Sequence, residues 1–282
     1  MKPLAIVACL IITASLAVAV FQKTVSARRS ENPSDARRYE PNRDLSAPPV
    51  PVIVELFTSE GCSSCPPADA LLMQLESEQP IPGAEVVALE EHVDYWNDLG
   101  WADPFSSSEL TQRQQRYAET FGHGSSYTPQ MVVDGQWEFV GSRSNQARNT
   151  IAEAAKYAQS EVAISRAGSG PDGPSEWNIT VKRLEPASSS DTAEVWVAVT
   201  ETRLHSNVER GENAGRDLPH AAVVRQLIKL GNADPRKEPV FSTTARLNLR
   251  PEWNRQNLRV VAFVQQKKSR HIIGAASAKV AQ

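Results

Sequence analysis

Cysteine is scarce in this chain of 282 residues, which contains only three. Cys9 lies in an N-terminal apolar run, so Cys62 and Cys65 are the two left for the rest of the chain. A single pair cannot be the disulfide framework that holds small secreted domains together. The chain also lacks an excess of positive charge, with 30 lysines and arginines against 33 acidic residues. This balance does not indicate a nucleic-acid partner.

The N-terminal segment contains a long apolar run. Residues 4–21 carry no charge, Lys2 precedes them, and the small residues Ser26 and Ala27 follow shortly after. This pattern predicts a signal peptide over residues 1–27 or, since the run is long enough to span a bilayer, an uncleaved membrane anchor. Residues 28–49 are rich in arginine, aspartate, proline and serine and are interpreted as a disordered tether. The protein is therefore predicted to be periplasmic or secreted, with inner-membrane attachment only through such an anchor.

Cys62 and Cys65 are separated by two serines and lie between an apolar stretch and a helix start. Residues 52–57 read VIVELF, which predicts a strand, and the two prolines after Cys65 are tolerated in a first helical turn. A cysteine at a helix start lies near unpaired N–H groups and the positive end of the helix dipole, which favour the thiolate. We therefore expect Cys62 to attack a substrate disulfide and Cys65 to resolve the mixed disulfide.

Metal binding and a purely structural disulfide are the two rival interpretations of this pair. Zinc prefers four protein ligands, whereas the histidines are scattered singly. They are His92, His123, His205, His220 and His271. A copper(I) site made by both thiolates and His92 stays open, because soft thiolates select that ion. A structural disulfide is the weaker interpretation, since closing a loop of two intervening residues removes little chain entropy.

The pattern after the motif predicts a strand at residues 84–90, a helix at 106–121, a hairpin at 131–140 and a helix at 144–159. With Thr128-Pro129 before the hairpin, residues 50–160 resemble the thioredoxin fold. The resemblance implies that the Pro129 peptide bond is cis and that Thr128 orients an extended peptide substrate. Tyr127 and Trp96, the latter in an aromatic-rich loop, complete the candidate substrate-binding residues.

Glu55 is an acidic residue in an otherwise apolar strand. Thioredoxins place a buried acid at a matching point, so the resemblance implies that Glu55 accepts the proton of Cys65. The alternative is an acid at a strand edge that reaches solvent.

Four strings resemble a more specific family, the exported bacterial proteins catalogued as domain of unknown function 1223. They are VELFTSEGCSSCPPADALL, HVDYWNDLGW, YTPQMVVDG and GENAGRDLPHAAVVR. The resemblance implies a fold, a compartment and redox character but no substrate. His92 and Asp94, in the second string, are candidates for a base or a copper ligand near Cys62. Alternatively, they hydrogen-bond the loop that contains them.

From residue 162 the pattern becomes alternating. Strands are predicted at residues 177–181, 195–199, 223–230, 245–249, 260–264 and 272–276, which is typical of an antiparallel sandwich. The long loop at 201–221 is dense in polar residues and is either a solvated connection or part of a site at the domain junction. If it folds over Cys62, Arg210 or Arg216 could stabilise a thiolate.

The sequence thus predicts an α/β thioredoxin-like domain at residues 50–160, followed by an all-β sandwich-like domain at 161–282. The leading functional hypothesis is an exported thiol–disulfide oxidoreductase that needs no cofactor and acts on thiols or disulfides of proteins or small molecules. The alternatives are a copper(I)-binding or delivery module and a non-catalytic partner-binding protein.

Overall fold

The structure is a computed structural model that describes residues 47–157, 159–168, 175–184, 191–234 and 240–281. The predicted signal peptide or anchor at 1–27 lies outside the described residues, as does nearly all of the tether predicted at 28–49. Within the described ranges, no helix has both the length and the apolar character needed to cross a membrane.

Strands and helices alternate along the first part of the chain. They are β1 (Val50–Thr58), α1 (Pro66–Glu78), β2 (Ala84–His92), α2 (Ser108–Phe121), β3 (Gln130–Val133), β4 (Trp137–Val140) and α3 (Ser144–Ala154). The start of α1 coincides with the two prolines, whose missing N–H groups cost nothing in a first turn. The Ser107 hydroxyl caps α2 by accepting a hydrogen bond from the Leu110 N–H, and Gly122 ends that helix in the left-handed region, with φ 74°.

The second part of the chain is built from strands. They are β5 (Glu161–Gly168), β6 (Ser175–Lys182), β7 (Ala193–Glu201), β8 (Leu204–Asn207), β9 (Asp217–His220), β10 (Val223–Ala233), β11 (Phe241–Leu247), β12 (Leu258–Gln266) and β13 (Ile272–Lys279). Short 3-10 turns at Asn97–Leu99 and Arg255–Asn257 complete the regular elements.

One mixed sheet runs through both parts of the chain. Its eight strands follow the order β13-β12-β7-β10-β2-β1-β3-β4. The β1–β2 pair is parallel, and so is the short contact in which Val223 of β10 pairs with Glu90 of β2. The other neighbours in this sheet are antiparallel. A three-stranded sheet, β11-β6-β5, and the β8–β9 pair are separate from it.

The predicted fold class, an α/β thioredoxin-like domain followed by an all-β sandwich-like domain, is wrong. The described chain is mostly β structure, and strands from residues 193–279 extend the sheet that contains β1 to β4. Had β2 been the edge of an independent sheet, its outer N–H and C=O groups would have been left without strand partners. Pairing with β10 covers part of that edge. Alternation in the sequence locates strands but carries no information on which strands pair.

The two faces of β1 pack against different helices. Val52, Val54 and Leu56 share an apolar cluster with residues of α1 and α3. Ile53 and Phe57 point the other way, into clusters that contain Leu110 and Tyr117 of α2. The helix that follows the CxxC motif and α2 therefore contact opposite faces of β1.

Candidate functional site

Cys62 and Cys65 form a disulfide at the N-terminal end of α1, with their Cα atoms 5.4 Å apart. Cys65 is the N-cap residue of the helix, and its C=O accepts a hydrogen bond from the Ala68 N–H at 2.8 Å. Both cysteines are fully buried, whereas Ser63 and Ser64 between them are exposed. The motif thus presents its two serines to solvent and keeps its sulfur-bearing residues covered.

Residues 208–216, here called the cap segment, lie against the CxxC motif. The Asn213 Nδ2 group donates hydrogen bonds to the carbonyl oxygens of Glu60, at 2.8 Å, and Cys62, at 3.0 Å. The Ser63 N–H donates to Glu212 Oε2 at 3.0 Å, and hydrogen bonding from Ser63 lowers the pKa of that carboxyl. Asn213 is buried although it lies in a loop of polar residues. These direct contacts with the CxxC motif support the interpretation of the polar loop as part of a site.

The cap segment uses different residues from those expected to reach the motif. Arg210 and Arg216 are exposed, and the contacts come instead from Glu212 and Asn213. Among the described contacts of the cap segment, none brings an arginine to Cys62.

Three of the predicted substrate-binding residues lie together beside the motif. Trp96 Nε1 donates to Thr128 Oγ1 at 2.9 Å, and the Thr128–Pro129 peptide bond is cis. Trp96 lies against Gly61, since a Cβ added to that glycine would be 3.1 Å from the Trp96 Cβ. The fourth residue, Tyr127, instead donates its hydroxyl to Glu138.

The structure does not bring Glu55 to the CxxC motif. The Glu55 carboxylate points to the face of β1 that packs on α2, where it accepts hydrogen bonds from Arg113 Nε and Tyr117 Oη, each at 2.5 Å. Burial alone would lower the pKa of Arg113, but the Glu55 charge outweighs burial and raises that pKa. Glu55 therefore takes part in a buried ion pair with Arg113, and its role as proton acceptor for Cys65 stays a prediction from the sequence.

Asp94 takes part in local structure. Thr111 Oγ1 donates to the Asp94 carboxylate at 2.6 Å, and the Asp94 N–H donates back to the same hydroxyl oxygen at 3.0 Å. These contacts tie the aromatic-rich loop to α2.

His92 belongs to a buried group of acids and histidines, here called the carboxylate–histidine cluster. Its members are Glu60, Asp69, Glu90, His92, Asp103 and His220, all at least nine-tenths buried. His92 Nδ1 lies 2.7 Å from Asp103 Oδ2, and His220 Nδ1 lies 3.0 Å from Glu90 Oε1. His220 Nε2 lies 3.2 Å from Glu60 Oε1. The other carboxylate oxygen, Glu60 Oε2, accepts a hydrogen bond from Trp101 Nε1 at 2.7 Å.

The charged groups of this cluster shift one another's pKa values. Burial alone would lower the pKa of His220, but the Glu90 carboxylate and hydrogen bonds to Glu60 and Glu90 raise it to about 11. Burial likewise opposes the charged form of His92, and Asp103 outweighs it, so the pKa of His92 is raised. The pKa of Asp69 is raised to about 7, first by burial and then by the Glu90 charge. The charged form of both imidazoles is thus favoured, although both side chains are buried.

The carboxylate–histidine cluster is directly connected to the CxxC motif. Asp69 lies one helical turn after Cys65, and its N–H donates to the Cys65 carbonyl oxygen at 3.1 Å. The Thr58 hydroxyl donates to Asp69 Oδ1 at 2.6 Å. The Glu60 N–H donates to Asp103 Oδ2 at 2.9 Å, two residues before Cys62. A change in the cluster therefore bears on both ends of the disulfide loop.

The predicted copper(I) ligands do not come together. Among the described residues, those whose ligand atoms lie close enough to share an ion are Glu90, His92 and His220, within 4.8 Å of one another. Neither cysteine belongs to this group, and in the disulfide neither sulfur is a thiolate.

Sequence reasoning missed Asp69, Glu90 and Asp103 as members of a site. Each lies in a segment that reads as ordinary helix, strand or loop, and only the tertiary contacts show that they are buried together. His220 had a signal, because it ends the GENAGRDLPH string in the polar loop.

Comparisons with known proteins identify a family and solved structures with a similar fold. A family model described as protein of unknown function (DUF1223) matches residues 53–265. The crystal structure of an Agrobacterium tumefaciens protein, a structural-genomics target, is 26% identical with a TM-score of 0.63, covering 82% of this chain and 95% of that one. HBP35 of Porphyromonas gingivalis is similar in fold, at 16% identity and a TM-score of 0.61, covering 83% of this chain and 76% of that one. No curated protein matches.

Proposed function

This chain belongs to the DUF1223 family of proteins of unknown function, and we propose that it carries out thiol–disulfide exchange through Cys62 and Cys65. The observation that carries the proposal is the disulfide across a loop of two residues at the N-terminal end of α1. Such a short loop stabilises a fold little, because the open chain already holds the two cysteines close together. Chemistry is the better explanation for a cysteine pair at this position.

The exchange proceeds in two balanced steps when the pair starts reduced. The Cys62 thiolate attacks a substrate disulfide, a bond forms between Cys62 and one substrate sulfur, and the other substrate sulfur leaves as a thiolate. Cys65, as a thiolate, then attacks Cys62, the Cys62–Cys65 bond forms and the second substrate thiolate leaves. Two electrons pass from the pair to the substrate, and the reverse sequence oxidises a substrate dithiol. The positive end of the α1 dipole favours the thiolate on which both directions depend.

The surroundings of the motif favour an extended substrate with a disulfide or dithiol. Trp96 lies against Gly61, directly before Cys62, and contacts Thr128, so these residues offer an aromatic surface and backbone groups near the motif. The cap segment contacts the motif through Glu212 and Asn213. We propose that the substrates are peptide or small-molecule thiols and disulfides. We also propose a periplasmic or secreted location, which rests on the apolar run at residues 4–21.

A redox equilibrium with glutathione tests the exchange. The full chain, with Cys9→Ser to remove the third thiol, is equilibrated in glutathione buffers of graded ratio, and the free thiols are trapped by alkylation. We expect reversible cycling with a reduction potential between about −270 and −120 mV. Cys65→Ser should accumulate a mixed disulfide with glutathione at Cys62, whereas Cys62→Ser should accumulate far less. A pair that fails to cycle, or equal trapping in both serine variants, would overturn the proposal.

A further inference from the structure

Glu90, His92 and His220 bring three ligand atoms together in the protein interior. Glu90 and His92 lie at the end of β2, and His220 ends β9. Each residue is at most 2% exposed. Within the described residues, His92 Nε2 has no hydrogen-bond partner, and it lies 3.8 Å from Glu90 Oε1. A buried imidazole nitrogen without a partner is costly, so this atom indicates a ligand that the protein atoms do not supply.

The second nitrogen of each imidazole is held by a carboxylate. His92 Nδ1 contacts Asp103, which leaves Nε2 directed toward Glu90. His220 Nε2 contacts Glu60, and its Nδ1 is directed toward the same Glu90 oxygen. Histidines that bind metals almost always have a carboxylate, carbonyl or water on the opposite ring nitrogen, which fixes the ring. Here both histidines have this arrangement around one point.

The charge of the cluster also favours a cation. Glu60, Asp69, Glu90 and Asp103 are buried together. The ion pairs described for Glu60, Glu90 and Asp103 are with the two histidines alone. Four acidic side chains and two histidines thus lie together in the interior. Buried charge without a counterion is strongly unfavourable, and a dication would offset the excess.

We propose that Glu90, His92 and His220 bind a divalent cation of the zinc type, with a water molecule in the fourth position. Two imidazole nitrogens and one carboxylate oxygen form a donor set that suits Zn²⁺, whereas copper(I) prefers sulfur. The ion would join β2 to the end of β9. His220 also lines a surface cleft of about 740 Å³. The site uses neither cysteine, so it stands independently of thiol–disulfide exchange.

A titration of the oxidised protein tests the site. The full chain is treated with a chelator, its free thiols are alkylated so that only the disulfide remains, and Zn²⁺ alone or Co²⁺ alone is added. We expect one equivalent of either ion to bind. The Co²⁺ complex should show d–d absorption of nitrogen and oxygen ligands without a thiolate charge-transfer band.

Conservative substitutions locate the binding. His92→Gln and His220→Gln should each weaken Zn²⁺ binding at least tenfold, while the matched His205→Gln, at an exposed histidine in β8, should bind like the wild type. Asp103→Asn removes the negative charge behind His92 while keeping an amide oxygen that can accept from the Glu60 N–H, and it should weaken binding about 10- to 100-fold. Circular dichroism identifies the variants that keep their fold. If the two histidine variants do not fold, the Zn²⁺ affinity of Asp103→Asn tests the proposal in their place. Absence of binding by the wild type, equal binding by the folded cluster variants, or a thiolate band would overturn the proposal.

Discussion

Replacing Asn213 by alanine should make the Cys62–Cys65 disulfide easier to reduce. Asn213 fastens the cap segment by two hydrogen bonds, to the carbonyl oxygens of Glu60 and Cys62. Both cysteines are fully buried, so a reductant reaches the sulfur atoms only after this part of the chain opens. The observed rate of reduction then depends on the fraction of molecules in which the cap segment has opened.

The size of the effect follows from the two bonds. A net contribution of about 1–1.5 kcal/mol each gives about 2–3 kcal/mol in favour of the closed segment. Since about 1.4 kcal/mol is a factor of ten in an equilibrium, Asn213→Ala should increase the open fraction, and with it the reduction rate, by about 30- to 160-fold.

The assay is the rate of reduction by dithiothreitol at fixed concentration, measured by alkylation and mass spectrometry at several times. Asn207→Ala is the matched control, because Asn207 is an exposed asparagine at the end of β8. Its reduction rate should stay within about twofold of the wild type, as expected for a surface substitution that changes stability by less than about 0.5 kcal/mol. If Asn213→Ala is also reduced at the wild-type rate, the cap segment does not limit access to the disulfide.

Two further predictions concern stability. Arg113→Met should lower the free energy of unfolding by about 3–5 kcal/mol in urea denaturation, because it leaves a buried carboxylate without its counterion. Arg116→Met, on the same helix but partly exposed, should cost less than about 1 kcal/mol, and equal losses would refute the reasoning. Partial burial opposes ionisation of Glu138, but hydrogen bonds led by that from Tyr127 hold its pKa below the usual 4.5. Ionised Glu138 therefore contributes to the free energy of unfolding above its unfolded pKa, and this contribution is lost as the pH falls through its folded pKa. Glu138→Gln should flatten the decline in stability below about pH 4.5. Parallel plots of stability against pH for the wild type and the variant would contradict this.

The sequence predicted elements better than their arrangement. Alternating apolar residues such as Trp177, Ile179 and Val181 located β6, and the prolines after Cys65 located the start of α1. The pairing of Val223 with Glu90 has no local signal, because strands far apart in the chain meet through their backbone groups. Through that short contact, the strands of the predicted thioredoxin-like domain and strands of the predicted sandwich form one sheet.

In the candidate site, too, local features could be predicted from the sequence and long-range contacts could not. Cys62 and Cys65 were found from their spacing, since the pair lies within one turn of chain. Asn213 could be found only as a polar residue in a polar loop, because its burial depends on contacts with a segment about 150 residues away. The surroundings of Glu55 could not be predicted for a related reason. Alternation showed that Glu55 differs in orientation from its neighbours but not which helix covers each face.

The arrangement also determines which form of the protein can be tested. Deleting residues 161–282 would seem to isolate the CxxC motif from the strand-rich part of the chain. The deletion would also remove β10 from the edge of β2, Asn213 from the motif, and His220 from Glu90. It would break the hydrogen bond from the Ile272 N–H to the Asp134 carbonyl oxygen as well. Since Glu60 and Glu90 would then lose partners that hold them in the interior, loss of activity in such a fragment would not distinguish a catalytic role for the deleted residues from loss of the fold. Single substitutions in the full chain, such as Asn213→Ala and His220→Gln, separate these two causes.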